Sequence, residues 1–429
     1  MTETLNQQAM AILQKNDRGG FTIPTARLYP FQWNWDSAFI ALGIATYDRE
    51  RAWQELEMLT DAQADDGMIP HIIFRKDDAD YFPGPSIWQT EAAGIPASGI
   101  SQPPVLASIV RHLVETAPAS ELARAGSLFE SMLRWQRWYF HYRRPEGCPA
   151  ICTVHPWETG RDNCPDWDIG MRAMAVDPDL PSYKRKDIEH ADPSQRPSHE
   201  EYDKYITMVK FGRDHNWDQS VIVNEGPFLM ADPGLHFIWL RACRDLRVIA
   251  VWLGKDDVLP EIDSWIEAGV AGAEYFWNDT IQAYCVRDVR SGTFSDGFSN
   301  ASALCFYADV GNQAQRDHTL EHIRRIAKQT KFGQPSWDPE AERFESQRYW
   351  CGPLWCQMNY MISKGLTEQG NLDLAEKMRL DLRHVIELSG FYECFDPISG
   401  AGCIGQDFSW TAALWLAWAG YDAPAIQAA

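Results

Sequence analysis

Two acid-bearing segments carry the residue types that could do chemistry. The run HPWETGRDNCPDWD (155–168) sets Glu158, Asp162, Asp166 and Asp168 between or beside Trp157 and Trp167. A carboxyl pressed against aromatic rings loses hydration, which disfavours its charged form and raises its pKa. Such a group can hold a proton near neutrality and act as a general acid. The same acids could instead cap the next helix or bind backbone amides. The run FYECFDPISGAGCIGQDFSWTAALWLAW (391–418) places Glu393 between Tyr392 and Cys394, ahead of a Gly-rich turn and a helix that Asp407 could cap. Alone, Glu393 reads first as a surface strand or loop charge.

Other chemistries lack their signatures. The sequence has no Gly-x-Ser-x-Gly elbow, P-loop, GxGxxG run or HExxH pair. Ten cysteines are scattered without a CxxC pair, and neither Cys148/Cys152 nor Cys351/Cys356 has a His pair nearby to complete a zinc site. Lone histidines such as His71, His155 and His215 read first as structural hydrogen-bonding residues. A net charge of −21 over 429 residues repels phosphate backbones and anionic membrane surfaces, so nucleic acid and membranes are not expected partners. No stretch approaches the length of an apolar membrane span, and the first twenty residues lack a signal-peptide pattern. Reduced thiols and a cytoplasmic location are the natural reading. Oligomeric state is left open, a homo-oligomer included.

The positioning elements read as helices. Apolar residues recur at i, i+3, i+4 spacing over 36–46, 48–64, 104–116, 121–142, 201–211, 234–253, 258–277, 313–329, 350–364, 368–388 and 408–418. Asp48 and Asp232–Pro233 mark starts, Gly254 and Gly365 mark stops. Strand alternation is scarce, with 68–74 and 281–287 the best short candidates. Some helical stretches, such as 235–253, are apolar almost all round, and others, such as 371–388, carry a charged face. A double layer of buried and half-exposed helices needs that pairing. The polar stretch 176–203 reads as an insertion or lid. No linker divides the chain, so residues 1–429 are expected to form one domain. Of 19 Trp residues, many sit beside Asp, Asn, Gln, Gly and Pro, where flat rings with polar neighbours suit a sugar.

Four segments in order, YPFQWNWDSAF (29–39), WETGRDNCPDWD (157–168), RYWCGPLW (348–355) and YECFDPISGAG…DFSWTAAL (392–414), resemble glycoside hydrolase family 63, in particular its short bacterial members acting on mannosylglycerate and glucosylglycerate. The resemblance implies an all-α (α/α)6 barrel whose loops gather the site at one mouth, and an inverting mechanism needing no metal or cofactor. By motif position, Asp162 would be the general acid and Glu393 the general base. The two should then stand about 6.5–9.5 Å apart. Tyr29, Trp33, Trp35, Asp36, Gln102, Trp157, Tyr349, Trp350, Trp355 and Gln406 would bind the sugar. A glycerate leaving group needs a cation and hydroxyl donors, for which Arg161, Lys204, Tyr205 and Tyr81 are the candidates; Lys204 and Arg161 could instead be surface charges pairing with Glu200 or Asp166. The relatives use an Arg-Tyr pair after the polar stretch, whereas the DKY run (203–205) here offers Lys. An α-glucosidase acting on a disaccharide or oligosaccharide is the alternative. From other classes come a sugar isomerase or epimerase, which would use His71, His155 or His236, and a non-catalytic sugar-binding protein.

Overall fold

A computed structural model describes residues 2–76, 81–116, 121–189 and 191–420. Its frame is a closed ring of inner helices, Asn34–Ile44, Leu106–Glu115, Pro233–Trp252, Cys305–Ala308, Cys356–Glu368 and Ser409–Leu414, each packed on the next and the last on the first. Outer helices cover them: Arg49–Thr60 packs on Asn34–Ile44, Leu122–Tyr142 on Leu106–Glu115 and Leu259–Gly272 on Pro233–Trp252. Leu372–Ser389 covers Cys356–Glu368, Thr2–Asn16 covers Ser409–Leu414, and Gln313–Gln329 packs beside the Asn300–Ala303 turn. This is the all-α barrel, an inner and an outer layer of helices in alternation.

Burial follows the sequence pattern. Every residue of Asn34–Ile44 is buried, whereas Leu372–Ser389 buries only Ala375, Met378, Leu382, Val385 and Ile386 on one stripe. The Asp48 side chain caps the Arg49–Thr60 helix by accepting from the Arg51 amide. Asp232 caps Pro233–Trp252 by accepting from Gly234 and Leu235.

Three local expectations change. Gly365 is not a stop; it lies inside Cys356–Glu368, where a Cβ would stand 2.3 Å from the Tyr307 amide nitrogen, so it permits close approach of two inner elements. Helix does not begin at 350, because Tyr349–Trp355 is an irregular aromatic segment that faces a cavity. Asp407 caps nothing: its carboxylate takes the Lys15 ammonium at 2.8 Å, and Phe408 occupies the cap position.

The strands are short ribbons between the helices. Ile72–Ile73 pairs with Gln32–Trp33, Ala283–Tyr284 with Trp277–Asn278, and Tyr392–Phe395 with Gly402–Gln406. Among the described residues, no helix is long and apolar enough to cross a membrane. All ten cysteines are free thiols.

Candidate active site

Both acids singled out in the sequence reach one cavity at the barrel mouth. It holds about 860 Å3, open space at its entrance included. Asp162 and Glu393, far apart in sequence, both line it.

Asp162 owes its place to the turn that carries it. Gly160 has φ +67° and lies so close to Trp35 that a Cβ would stand 2.4 Å from Cζ2, so neither a side chain nor an ordinary backbone fits. Arg161 is fully buried and bridges Asp166 at 2.6 Å and Asp232 at 2.7 Å. Its carbonyl accepts from Trp167 Nε1 at 2.6 Å. On the other side, Asn163 Oδ1 accepts from the Trp350 amide at 2.9 Å. The residues flanking Asp162 are thus fixed by the start of an inner helix and by the aromatic segment.

Glu393 sits in the Tyr392–Phe395 strand, where the register slips opposite it. One extra residue on the Gly402–Gln406 strand, with Ile404 at φ +67°, makes a bulge that re-aims the side chain inward. Its carbonyl is held by Trp410 Nε1 at 3.1 Å. Oε1 accepts from the Tyr29 hydroxyl at 3.0 Å. Gly405 packs against Oε2, where a Cβ would stand 3.2 Å away.

Two phenols span the gap between the carboxyls. Tyr29 Oη is 3.1 Å from Tyr349 Oη, and the Tyr349 hydroxyl stands next to the Asp162 carboxyl, whose pKa it draws down. Arg196 lies beside this bridge. It donates from Nη1 to Tyr29 Oη at 2.9 Å, rests 4.1 Å over the Tyr349 ring, and donates from Nε to Asp187 at 3.0 Å.

Burial lifts the Asp162 carboxyl to about 6 even though Arg196 and the Tyr349 hydroxyl draw it down. Burial likewise lifts Glu393 to about 7, against the pull of Arg196 and Tyr29. Asp36 is 3% exposed and is held well above the ordinary carboxylate range, first by burial and then by Glu393. Asp162 and Glu393 therefore compete for protons near neutrality in one cavity.

The cavity is also lined by Tyr29, Trp33, Trp35, Asp36, Tyr81, Gln102, Trp157, Tyr205, Tyr349, Trp350 and Trp355 of the residues named from the sequence. Three others lie outside it. Arg161 does not face the cavity, because both faces of its fork are spent on Asp166 and Asp232. Lys204 points into a neighbouring pocket and pairs with Glu200 at 3.1 Å. Gln406 is exposed at the end of its strand, outside the cavity.

The residue that the motifs missed is Arg196. It lies within the polar stretch, whose composition reads as surface, yet it is 5% exposed. Its signal was Pro197: a residue before proline is driven out of helix, and Arg196 is extended, with ψ 165°. Arg185 and Asp187 of the same stretch hold it by a network in which Arg185 donates to Asp187 at 2.6 Å. His71 and Trp410 also line the cavity. Burial keeps His71 neutral, with Nδ1 against Ser98 Oγ at 3.0 Å.

With this geometry in place, comparison with known proteins is direct. The model of the mannosylglycerate hydrolase MGH1-like glycoside hydrolase domain matches residues 29–411. A mannosylglycerate hydrolase of Thermus thermophilus is 41% identical over 96% of this chain and 99% of its own. A glucosylglycerate hydrolase of Mycolicibacterium hassiacum is 32% identical over 97% of this chain and 98% of its own. The crystal structure of a family 63 mannosylglycerate hydrolase from Thermus thermophilus, in complex with Tris and D-glycerate, superposes with a TM-score of 0.92 at 40% identity, covering 96% of this chain and 99% of that one. The chain belongs to the mannosylglycerate hydrolase MGH1-like glycoside hydrolases of family 63 and is a glycoside hydrolase.

Proposed function

We propose that the enzyme hydrolyses a small α-glycoside of glyceric acid, mannosylglycerate or glucosylglycerate, with inversion of the anomeric centre. Asp162 acts as general acid and Glu393 as general base. The observation that carries this reading is one cavity holding two buried carboxyls bridged by Tyr29 and Tyr349, with the Arg196 guanidinium set against the bridge. An inverting reaction needs room for a water between the base and the sugar, with the carboxyls about 6.5–9.5 Å apart.

The sequence of events follows from the positions. The sugar lies among Trp35, Trp350 and Trp355, with Asp36 accepting from its hydroxyls. Asp162 gives its proton to the leaving oxygen as the glycosidic bond breaks, and Glu393 takes a proton from the water that attacks the opposite face. The two carboxyls have overlapping pKa values, so the proton alone does not assign their roles; the face of the sugar each meets does. Arg196, rather than Arg161 or Lys204, receives the glycerate carboxylate. It is a planar guanidinium on the cavity wall, its Nε held by Asp187 and its Nη1 on Tyr29, and its shape suits a carboxylate. The names of the relatives, and the D-glycerate held by the Thermus enzyme, agree with an aglycone of this class. We take 176–203 as the cover of the aglycone side, since Arg185, Asp187 and Arg196 all come from it, and residues 1–429 as one catalytic domain. Hydrolysis undisturbed by truncation of the cover would refute its part.

The test is a hydrolysis screen with anomer detection on mannosylglycerate, glucosylglycerate, mannosylglycerol, trehalose, kojibiose and nigerose. Release of β-sugar from a glycerate glycoside is expected. Release of α-sugar, or normal turnover by Asp162→Asn or Glu393→Gln, would contradict the assignment.

A further inference from the structure

We infer that Tyr29 and Tyr349 form a proton-return relay that resets the two carboxyls after each turnover. This rests on the reading of Asp162 as acid and Glu393 as base. An inverting turnover ends with the proton on the wrong group: Glu393 has gained one from water, and Asp162 has given one to the leaving oxygen. One proton must travel from Glu393 to Asp162 before the next cycle.

The structure lays out the path. Glu393 Oε1 lies 3.0 Å from Tyr29 Oη, Tyr29 Oη lies 3.1 Å from Tyr349 Oη, and the Tyr349 hydroxyl stands next to the Asp162 carboxyl, whose pKa it draws down. A chain of hydroxyls has two directions. In the ready state Asp162 donates to Tyr349, Tyr349 to Tyr29, and Tyr29 to ionised Glu393. In the spent state each bond points the other way. Reset is three hops: Glu393 passes its proton to Tyr29 Oη, Tyr29 passes its own to Tyr349 Oη, and Tyr349 passes its own to the Asp162 carboxylate. Three O–H bonds break and three form, with one unit of negative charge moved from Asp162 to Glu393 and no external reagent.

Other features fit this role. Both phenols are held well above their ordinary pKa by burial, so a free phenolate is disfavoured and the hops must be concerted. The Arg196 N–H fills the remaining acceptor site of Tyr29 at 2.9 Å, which leaves that hydroxyl only the relay directions.

Tyr29→Phe and Tyr349→Phe remove one oxygen each and keep the rings. Rapid-quench single turnovers, with enzyme over substrate, measure the first cleavage; steady-state kcat includes reset. The ratio of single-turnover rate to kcat is expected to rise by about tenfold in each variant. Because a wire is broken only once, the double variant should be no slower in reset than the worse single. Imidazole, as a small proton carrier, should raise kcat in the variants and not in the parent. An unchanged ratio would overturn the relay, as would defects that multiply in the double variant and ignore imidazole. Each ratio is internal to one variant, so a folding defect does not imitate it. Normal turnover by Asp162→Asn or Glu393→Gln would instead sink the underlying acid–base reading.

Discussion

The Arg196 guanidinium lies 4.1 Å over the ring of Tyr349, whose hydroxyl draws the Asp162 pKa down. One cation therefore touches the support of the acid and, through Tyr29, that of the base.

Arg196→Met should separate substrates by charge. Losing a charge-assisted hydrogen bond to an aglycone carboxylate costs about 2 kcal/mol, roughly 30-fold in kcat/KM. The loss should be much smaller for the matching glycerol glycoside, which has no anion to place. Steady-state kinetics on the pair decides it. Equal losses on both substrates would mean that Arg196 supports the tyrosine bridge and does not read the aglycone.

The pH dependence has a definite sign. Hydrolysis needs Glu393 ionised and Asp162 protonated, so the rate falls on the acid side as Glu393 gains a proton and on the alkaline side as Asp162 loses one. Burial places the free-enzyme values at about 7 and about 6, the ionised Asp162 adding to the rise at Glu393. The two titrate as a pair, so kcat/KM should trace a narrow bell with limbs at about 6 and about 7. Arg196 holds both acids down, so Arg196→Met should move the whole bell to higher pH. A flat profile across that window is incompatible with the scheme.

Much of this was legible from residue types. The apolar-all-round stretch 235–253 could only be an inner helix, and Asp232–Pro233 marked its start because cap chemistry is local. The ETGRDN and YECFDP runs led to one cavity through motif order. What escaped depends on contacts between distant segments. Arg161 read as an aglycone candidate or as a surface charge pairing with Asp166, and only the fold brings Asp232 to it as well. Arg196 looked like one charge among many in a polar stretch. Its burial follows from Asp187, Tyr29 and Tyr349, which no spacing rule links. Gly365 looked like a helix end because glycine's need for close packing is invisible without the neighbour it admits.

Glu393→Gln should stabilise the fold in a pH-dependent way. The Glu393 carboxyl has a folded value of about 7 against 4.5 for the free side chain. Its protonated form is favoured by folding, so this contribution is fully present below about 4.5 and is lost as pH rises through about 7. At full ionisation the loss amounts to about 3 kcal/mol. Glutamine has no proton to lose. The variant's gain in Tm over the parent should thus be small at pH 5 and larger at pH 8, by differential scanning calorimetry. A gain independent of pH would show that ionised Glu393 sits at no cost in its pocket.

Gly160→Ala tests whether the acid's turn is as tightly set as it looks. An added Cβ meets Trp35 Cζ2 at 2.4 Å and forces a left-handed φ of +67° on alanine. Relief requires moving either the Trp35 ring or the peptide next to Arg161, which is tied on both sides. Overpacking of this kind costs about 1–3 kcal/mol, with about 1 kcal/mol more for the backbone. A displacement near 1 Å at Asp162 lowers kcat by about 100-fold. The expected result is a lowered Tm together with a fall in kcat that exceeds any rise in KM. A variant that loses stability but keeps kcat would show that the turn yields on the Trp35 side and that Asp162 is positioned from Asn163 onward.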